Sequence, residues 1–284
     1  MMARVVLAGA GGMLGSAFRH RLAGAELICL GRDQLDVSRP RELRERIASL
    51  SPGLVINCAA DTNVEAAEGD PRQAYAVNAL LPELLAQASG NAAARFLHFS
   101  STGCYGDWKR TPYGDYDPLR PTTAHHAAKA AGEEAVRRAC PDSLILRLGW
   151  LYGGDVQHRK NFVWARIAEA RGTETVFSDP YQTGTPTHVE DVVTQSLRLL
   201  EEEISGTLNC VAGGSASRYD YVLRILQSAG LSTRVLPRRF ERRAPVSSNE
   251  AASNDKLGLL GLNIMPDWED ALERYVTSLL ADRP

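Results

Sequence analysis

The 284-residue sequence holds no apolar run near the roughly 18 residues needed to cross a bilayer. It also lacks an excess of either charge. Thirty-two Lys and Arg stand against 34 Asp and Glu, a net charge of −2, which argues against nucleic acid or an anionic membrane as the main partner. Cysteine is sparse and odd in number: Cys29, Cys58, Cys104, Cys140 and Cys210, with no CxxC pair. That pattern excludes a zinc finger or a disulfide framework and points to reduced thiols in a cytoplasm. Internal repeats, low-complexity tracts and flexible linkers are absent. The opening "MMARVVLAGAGGMLGSAF" has one Arg followed by uncharged residues, like a weak signal peptide, but its Gly-dense middle fits a strand, turn and helix better. At 44% hydrophobic and 23% charged, the chain can bury a sizeable core and stay in solution.

What is present is an alternation. "ARVVLAG", "AELICLG", "GLVINCAA", "RFLHFSS" and "SLILRLGWLYG" are short apolar runs. Between them lie helical stretches: Leu14 to Leu22, "SRPRELRERIASL", "DPRQAYAVNALLPELLAQA" and about Thr123 to Ala139. Strands apolar on both faces, separated by helices, are buried parallel strands with right-handed crossovers. The fold class is therefore α/β, a doubly wound, Rossmann-like parallel sheet. After Gly153 the rhythm changes. We expect residues 1–153, joined by about 186–212, to form the dinucleotide-binding domain. Residues 154–185 and 213–284 would form a smaller, interleaved substrate lobe, with helices at "NFVWARIAEARG", "DYVLRILQSAG" and "PDWEDALERYVTSLL". The basic cluster "PRRFERRAP" reads as a solvated face from which one Arg could grip a phosphate.

Gly9, Gly12 and Gly15 follow the first apolar run directly. Glycines there permit a tight turn, let backbone amides approach a pyrophosphate and allow close packing of helix on strand. The motif alone is weak; at the end of the first strand and the start of the first helix it predicts dinucleotide binding by Gly9, Gly11, Gly12, Met13, Leu14 and Gly15. At the end of the second strand, Arg32 favours the 2′-phosphate of NADP(H), while the adjacent Asp33 keeps NAD(H) possible.

Longer segments carry a resemblance. "VINCAADTNVEAAE", "AYAVNA", "RLGWLYG", "NFV", "DPYQTGTPTHVEDV", "RRAPVSSNEAASNDKLGLLG" and "PDWEDALERYV" stand in an order and spacing similar to the dTDP-4-dehydrorhamnose reductase family of extended short-chain dehydrogenase/reductases. The resemblance implies reduction of the C4 ketone of a dTDP-linked 4-keto-6-deoxy sugar nucleotide by a nicotinamide cofactor, and a homodimer. It implies that Lys129 binds the nicotinamide ribose and that Ser101 hydrogen-bonds the substrate carbonyl. Asp36, Val37, Ala59, Ala60, Asp61, Asn78 and Phe99 would lie along the cofactor. Thr62, Thr102, Trp150 and Asn161 would face the sugar nucleotide. No metal is implied.

One position departs from the family. His125 stands where the family has its catalytic Tyr, four residues before Lys129 and so on the same helix face. No tyrosine lies between Asp117 and Leu151, and Tyr113 and Tyr116 sit in an earlier loop. Thr102 and Gly103 also replace the family's usual Asp and Tyr, so the sugar itself is open to change. An imidazolium is a stronger acid than a phenol, but Lys129 beside it disfavours the charged form. We therefore expect a working but acid-shifted reductase. Two alternatives stay open: a non-catalytic cofactor-binding protein, as in the regulatory subunit of methionine adenosyltransferase, which resembles the same family, and another reaction on a nucleotide sugar. His98 and Cys104 read as core residues, His158 and His188 as isolated, and Trp150 as equally a stacking platform or core.

Overall fold

The computed structural model describes residues 4–281. Residues 1–3 and 282–284, which begin and end the two expected domains and open the signal-like stretch, lie outside the described residues.

Six strands form the central sheet: β1 (Val5–Ala8), β2 (Leu27–Leu30), β3 (Leu54–Asn57), β4 (Arg95–Ser101), β5 (Leu144–Leu148) and β10 (Gly206–Cys210). Their order is β10-β5-β4-β3-β1-β2, every pair parallel. Strand alternation divides the apolar side chains between two cores. Val5 and Leu7 face one side with Leu14 and Phe18 of α1 (Met13–Arg21) and Val192 and Leu199 of α8 (Val189–Glu201). Val6 and Ala8 face the other with Ile47 of α2 (Pro40–Ser49), Leu85 of α5 (Leu81–Asn91) and Val136 of α6 (Ala124–Ala139). Helices on both faces bury the inner strands β1, β4 and β5 almost fully, each buried Val, Leu or Ile contributing about 1.5–3 kcal/mol, while edge strand β2 keeps Cys29 exposed.

β1 has β2 on one side and β3 on the other. The chain reverses its winding direction there, and the cleft beyond the carboxyl ends of β1 and β3 is where such sheets bind ligands.

Two expected elements are broken. The apolar run 143–153 is two strands, because Gly149 lies so close to Thr185 that a Cβ would meet its carbonyl oxygen at 2.3 Å. Beyond it, β6 (Trp150–Tyr152) leaves the central sheet and pairs in parallel with β9 (Pro186–His188). The long helix 70–88 is likewise divided. After α3 (Val64–Gly69), α4 (Arg72–Tyr75) passes into a π turn over Ala76–Leu80 before α5 begins. Such turns cluster at functional sites because the extra residue swings a side chain out of register. Here that residue set includes Asn78.

The smaller lobe has its own core. Val163 and Ile167 of α7 (Phe162–Arg171), Tyr221 and Ile225 of α9 (Arg218–Ser228), and Leu272 and Val276 of α11 (Trp268–Ala281) pack together. Around them β7 (Thr175–Ser178) pairs with β12 (Arg234–Pro237), and β8 (Thr183–Gly184) with β11 (Ala216–Ser217). The short α10 (Asp255–Leu259) returns to the main body, where Leu257 joins the first core. No helix of the described residues is long and apolar enough to cross a membrane.

Candidate active site

The first half of the site is made from backbone. Gly9 has φ +79°, and a Cβ on it would lie 2.5 Å from the amide nitrogen of Ala59. A Cβ on Gly15 would lie 2.2 Å from the carbonyl oxygen of Gly9. These contacts draw the turn after β1 against the end of β3 and seat α1 on both. Gly11, by contrast, faces open space, and Gly12 caps α1 without any side-chain hydrogen bond. The first amides of α1 have no side-chain cap and face a cradle of glycines, the arrangement that receives phosphate. Met13 and Leu14 turn their side chains into the core, so they offer the cleft only backbone.

Arg32 opens a 3-10 turn after β2 and is exposed, with no ion pair among the described residues. Asp36 is held locally: its carboxylate accepts from the amide and hydroxyl of Ser38, which pushes its pKa down. Val37 packs at the edge of the second core. At the end of β3, Asp61 and Asn78 exchange two hydrogen bonds: the Asp61 amide donates to Asn78 Oδ1 at 3.0 Å and Asn78 Nδ2 donates to the Asp61 carbonyl at 2.9 Å. Ala60 beside them is exposed. Gly132 of α6 packs on the Asn78 carbonyl, where a Cβ would come within 2.1 Å, so the π turn and α6 are fixed to each other.

The second half is made from side chains. β4 ends at Ser101, whose hydroxyl oxygen accepts from the Gly103 amide at 3.2 Å. That leaves its O–H free to donate. Thr123 caps α6, accepting from the His126 amide, and the helix brings His125 and Lys129 to the same face. Lys129 Nζ donates to the Phe99 carbonyl at 2.9 Å, and burial pushes its pKa down to about 8.

His125 is 7% exposed, and burial, helped by the neighbouring His126 and Lys129, pushes its pKa down to about 3. Its Nδ1 lies 3.5 Å from Asn78 Nδ2. An amide NH2 can only donate, so Nδ1 accepts and the ring's proton sits on Nε2. A buried imidazole with its pKa pushed down is neutral near pH 7 and presents an N–H, in line with the expectation that Lys129 disfavours the charged form.

No nearby tyrosine replaces it. Tyr113 is buried, its hydroxyl donating to the Gly106 carbonyl and accepting from the Trp108 and Lys109 amides. The Tyr105 hydroxyl donates to Asn209 Oδ1 and accepts from Arg147. Tyr116 is exposed at the surface.

Two residues expected to face the sugar are buried. Thr102 is 1% exposed because the 3-10 turn Thr102–Tyr105 winds inward. Asn161 is 3% exposed and fully engaged as the cap of α7: its Oδ1 accepts from the Trp164 amide, and Nδ2 donates to the Gly154 and Asp155 carbonyls and the Tyr275 hydroxyl. Thr62 is exposed and accepts a hydrogen bond from Lys160, which joins the two lobes. Trp150 donates from Nε1 to Glu250 at 2.7 Å, and the guanidinium of Arg218 stacks 3.4 Å from its ring. Burial pulls Arg218 down to about 10 and pushes Glu250 up. Neither residue had a signal in the sequence, since nothing local marks a stacking partner 68 positions away.

His98 lies in the core, bonded to Asn57. Cys104 is buried, its thiol pushed up to about 12 by burial, which makes it packing and not a nucleophile. Among the described residues no group of three His, Cys, Asp or Glu is arranged to hold a metal ion.

The RmlD substrate binding domain family matches residues 2–281. A dTDP-4-dehydrorhamnose reductase of Mycobacterium tuberculosis is 35% identical over 280 residues, covering 95% of this chain and 91% of that one. The solved dTDP-4-dehydrorhamnose reductase of Bacillus anthracis, in complex with NADP, superposes with a TM-score of 0.93 at 27% identity, covering 98% of this chain and all of that one. The Clostridium acetobutylicum ortholog gives the same score at 28% identity, covering 98% and 99%. A match that spans both lobes as well as the glycine turn places this chain in the dTDP-4-dehydrorhamnose reductase family.

Proposed function

We propose that the protein reduces the C4 ketone of a dTDP-linked 4-keto-6-deoxy sugar with NADPH, using Ser101, His125 and Lys129. The observation that carries this reading is the constellation itself. A free serine hydroxyl, a neutral imidazole N–H and a buried ammonium stand at the ends of β4 and on one face of α6.

The cradle fits a dinucleotide. Gly9 and Gly15 bring the turn close, Gly11 and Gly12 leave room, and the amides opening α1 face the space a pyrophosphate takes. Arg32, exposed and unpaired, suits the 2′-phosphate of NADP(H). Asp36, Val37, Ala59, Ala60, Asp61, Asn78 and Phe99 border the rest. When bound, the nicotinamide supplies the hydride. The residues do the remainder. Ser101 O–H and His125 Nε2–H donate to the ketone oxygen and hold it as negative charge develops. The Lys129 charge, one helical turn away, lowers the energy of that oxyanion. With a pKa near 8, Lys129 is also the group of the three that can release a proton near neutral pH, which the product alcohol needs.

Thr62 and Trp150 are assigned to the sugar nucleotide; Thr102 and Asn161 are withdrawn. The division into a cofactor domain, 1–153 with 186–212, and a substrate lobe of 154–185 and 213–284 is supported by their separate apolar cores. Five unpaired cysteines support a cytoplasmic setting.

The test is loss of NADPH absorbance with enzymatically made dTDP-4-keto-6-deoxy sugars, with NADH, Lys129→Met and His125→Tyr alongside. Turnover that needs Lys129 supports the reading. Cofactor binding without turnover, unchanged in His125→Tyr, would replace it with a non-catalytic binding role.

A further inference from the structure

Gly103 and His126 form a pair. A Cβ built on Gly103 would lie 2.2 Å from both Cε1 and Nε2 of His126, and 2.8 Å from its Cδ2. The outer edge of the imidazole therefore occupies the volume that any side chain at 103 would enter. The ring is held there from below. Thr123 Oγ1 already accepts from the His126 amide, so its proton is free to go to His126 Nδ1, 3.0 Å away. Cys104 Sγ donates to the His126 carbonyl. In the tautomer in which Nδ1 accepts from Thr123, the proton of this ring too is on Nε2. Burial and the charges of Lys129 and Arg242 push its pKa down to about 4, which keeps the ring neutral.

The two histidines present the same group side by side. Their ring centroids are 4.9 Å apart and their planes cross at 73°. Neither Nε2 has a partner among the described residues, and neither is among the buried nitrogens left without one, so both reach open space. The smaller lobe comes over this face. Arg242 comes from the smaller lobe, pairs with Glu65 across the cleft, and is felt by His126, Arg218 and Glu250 alike. Neutral N–H groups on adjacent rings match adjacent oxygens on one face of a pyranose.

We infer that His126 is a specificity-determining residue, whose Nε2–H grips the sugar oxygen next to the ketone while its ring fills the volume over Gly103. The inference rests on the reductase reading. It gives the absence of a side chain at 103 a physical cause: the polar group of this wall has moved from the β4 turn to α6.

Two measurements test it. In the first, thermal midpoints are compared for Gly103→Ala, His126→Ala and the double variant. Gly103→Ala should lower the midpoint by about 3 °C or more, and His126→Ala in the same chain should restore it; independent, additive effects would overturn the shared volume. In the second, KM and kcat are measured for the 4-keto sugar and for its analogue lacking the hydroxyl next to the ketone, in the native protein, His126→Ala and His126→Phe. The native protein should prefer the hydroxylated sugar by roughly tenfold or more in KM. Both variants should lose that preference, with kcat changed less and the NADPH constant unchanged. A preference that persists in both variants overturns the inference and leaves the reductase reading standing. No turnover of any 4-keto sugar by the native protein defeats that reading and this inference together.

Discussion

The glycine turn after β1 and the turn after β4 stand at the carboxyl ends of two strands with β3 between them, yet they are built from opposite materials. The first works by what is missing: Gly9 and Gly15 have no Cβ, α1 has no capping side chain, and the ligand is offered amides alone. The second is built from polar side chains: Ser101, His125, His126 and Lys129 are held by Gly103 N, Asn78, Thr123 and Phe99 O in turn. A site of backbone has no residue to exchange and keeps its chemistry. A site of side chains can change its acid at 125 and move a polar ring to 126 while α6 holds the geometry.

The sharpest way to break this contrast is to put a side chain into the first turn. Gly15→Val would drive a branched Cβ into the Gly9 carbonyl and the Ala10 Cα, both backbone and unable to yield. We expect NADPH binding to disappear and the thermal midpoint to fall, read by fluorescence titration and calorimetry. Near-native binding would show that the turn is looser than its contacts imply. The corresponding change in the second turn should spare binding and strike chemistry. Lys129→Met should lower kcat by roughly 10²–10⁴-fold while NADPH still binds. It should also erase the alkaline fall of kcat/KM above about pH 8, which in the native protein follows loss of the Lys129 proton.

The same side chains tie stability to acid. His125 and His126 have folded-state pKa values of about 3 and 4, below their ordinary 6.5. As pH falls from 6.5 toward 3 the unfolded chain binds protons that the folded one refuses, so stability declines through that window. His125→Phe should flatten the decline, measured by urea unfolding at successive pH values. An unchanged slope would mean that the ring is more hydrated than its burial indicates. Lys129 works in the same direction in a higher window, its cost to stability easing as pH rises from about 8 to 10.5.

How much of this could be read from the chain follows the same contrast. Gly9, Gly12 and Gly15 were legible because a spacing of glycines after an apolar run has one common physical use, and the alternation of apolar runs gave the winding of the sheet. His125 and Lys129 were legible as a pair because four residues make one helical turn. The neutrality of His125 was legible in part, from Lys129 beside it; its burial and its contact with Asn78, which a π turn brings from 47 positions away, were not. The pairing of Gly103 with His126 and the stack of Arg218 on Trp150 were hidden for the same reason: each is a contact between elements, and no local pattern records it. The role of Asn161 as cap of α7 was not read either, because a helix cap and a substrate ligand call for the same side chain.

That last residue offers a smaller test. If Asn161 serves only α7, Asn161→Ala should cost about 0.5–2 kcal/mol of stability and leave the sugar KM unchanged. A rise in KM without loss of stability would return it to the substrate.

The smallest expected effect sharpens the contrast from the cofactor side. Arg32 is the one side chain by which the first half of the site could discriminate between ligands, since its amides bind any pyrophosphate alike. It is exposed and makes no ion pair that would hold it in place. A charge-assisted bond to a 2′-phosphate contributes about 1.5–3 kcal/mol at best, and an exposed, mobile side chain gives the lower end of that range. Arg32→Ala should therefore weaken NADPH by roughly tenfold, leave NADH unchanged, and lose its effect as salt is raised. Equal weakening of both cofactors would move the discrimination elsewhere and leave the first turn without any role for a side chain.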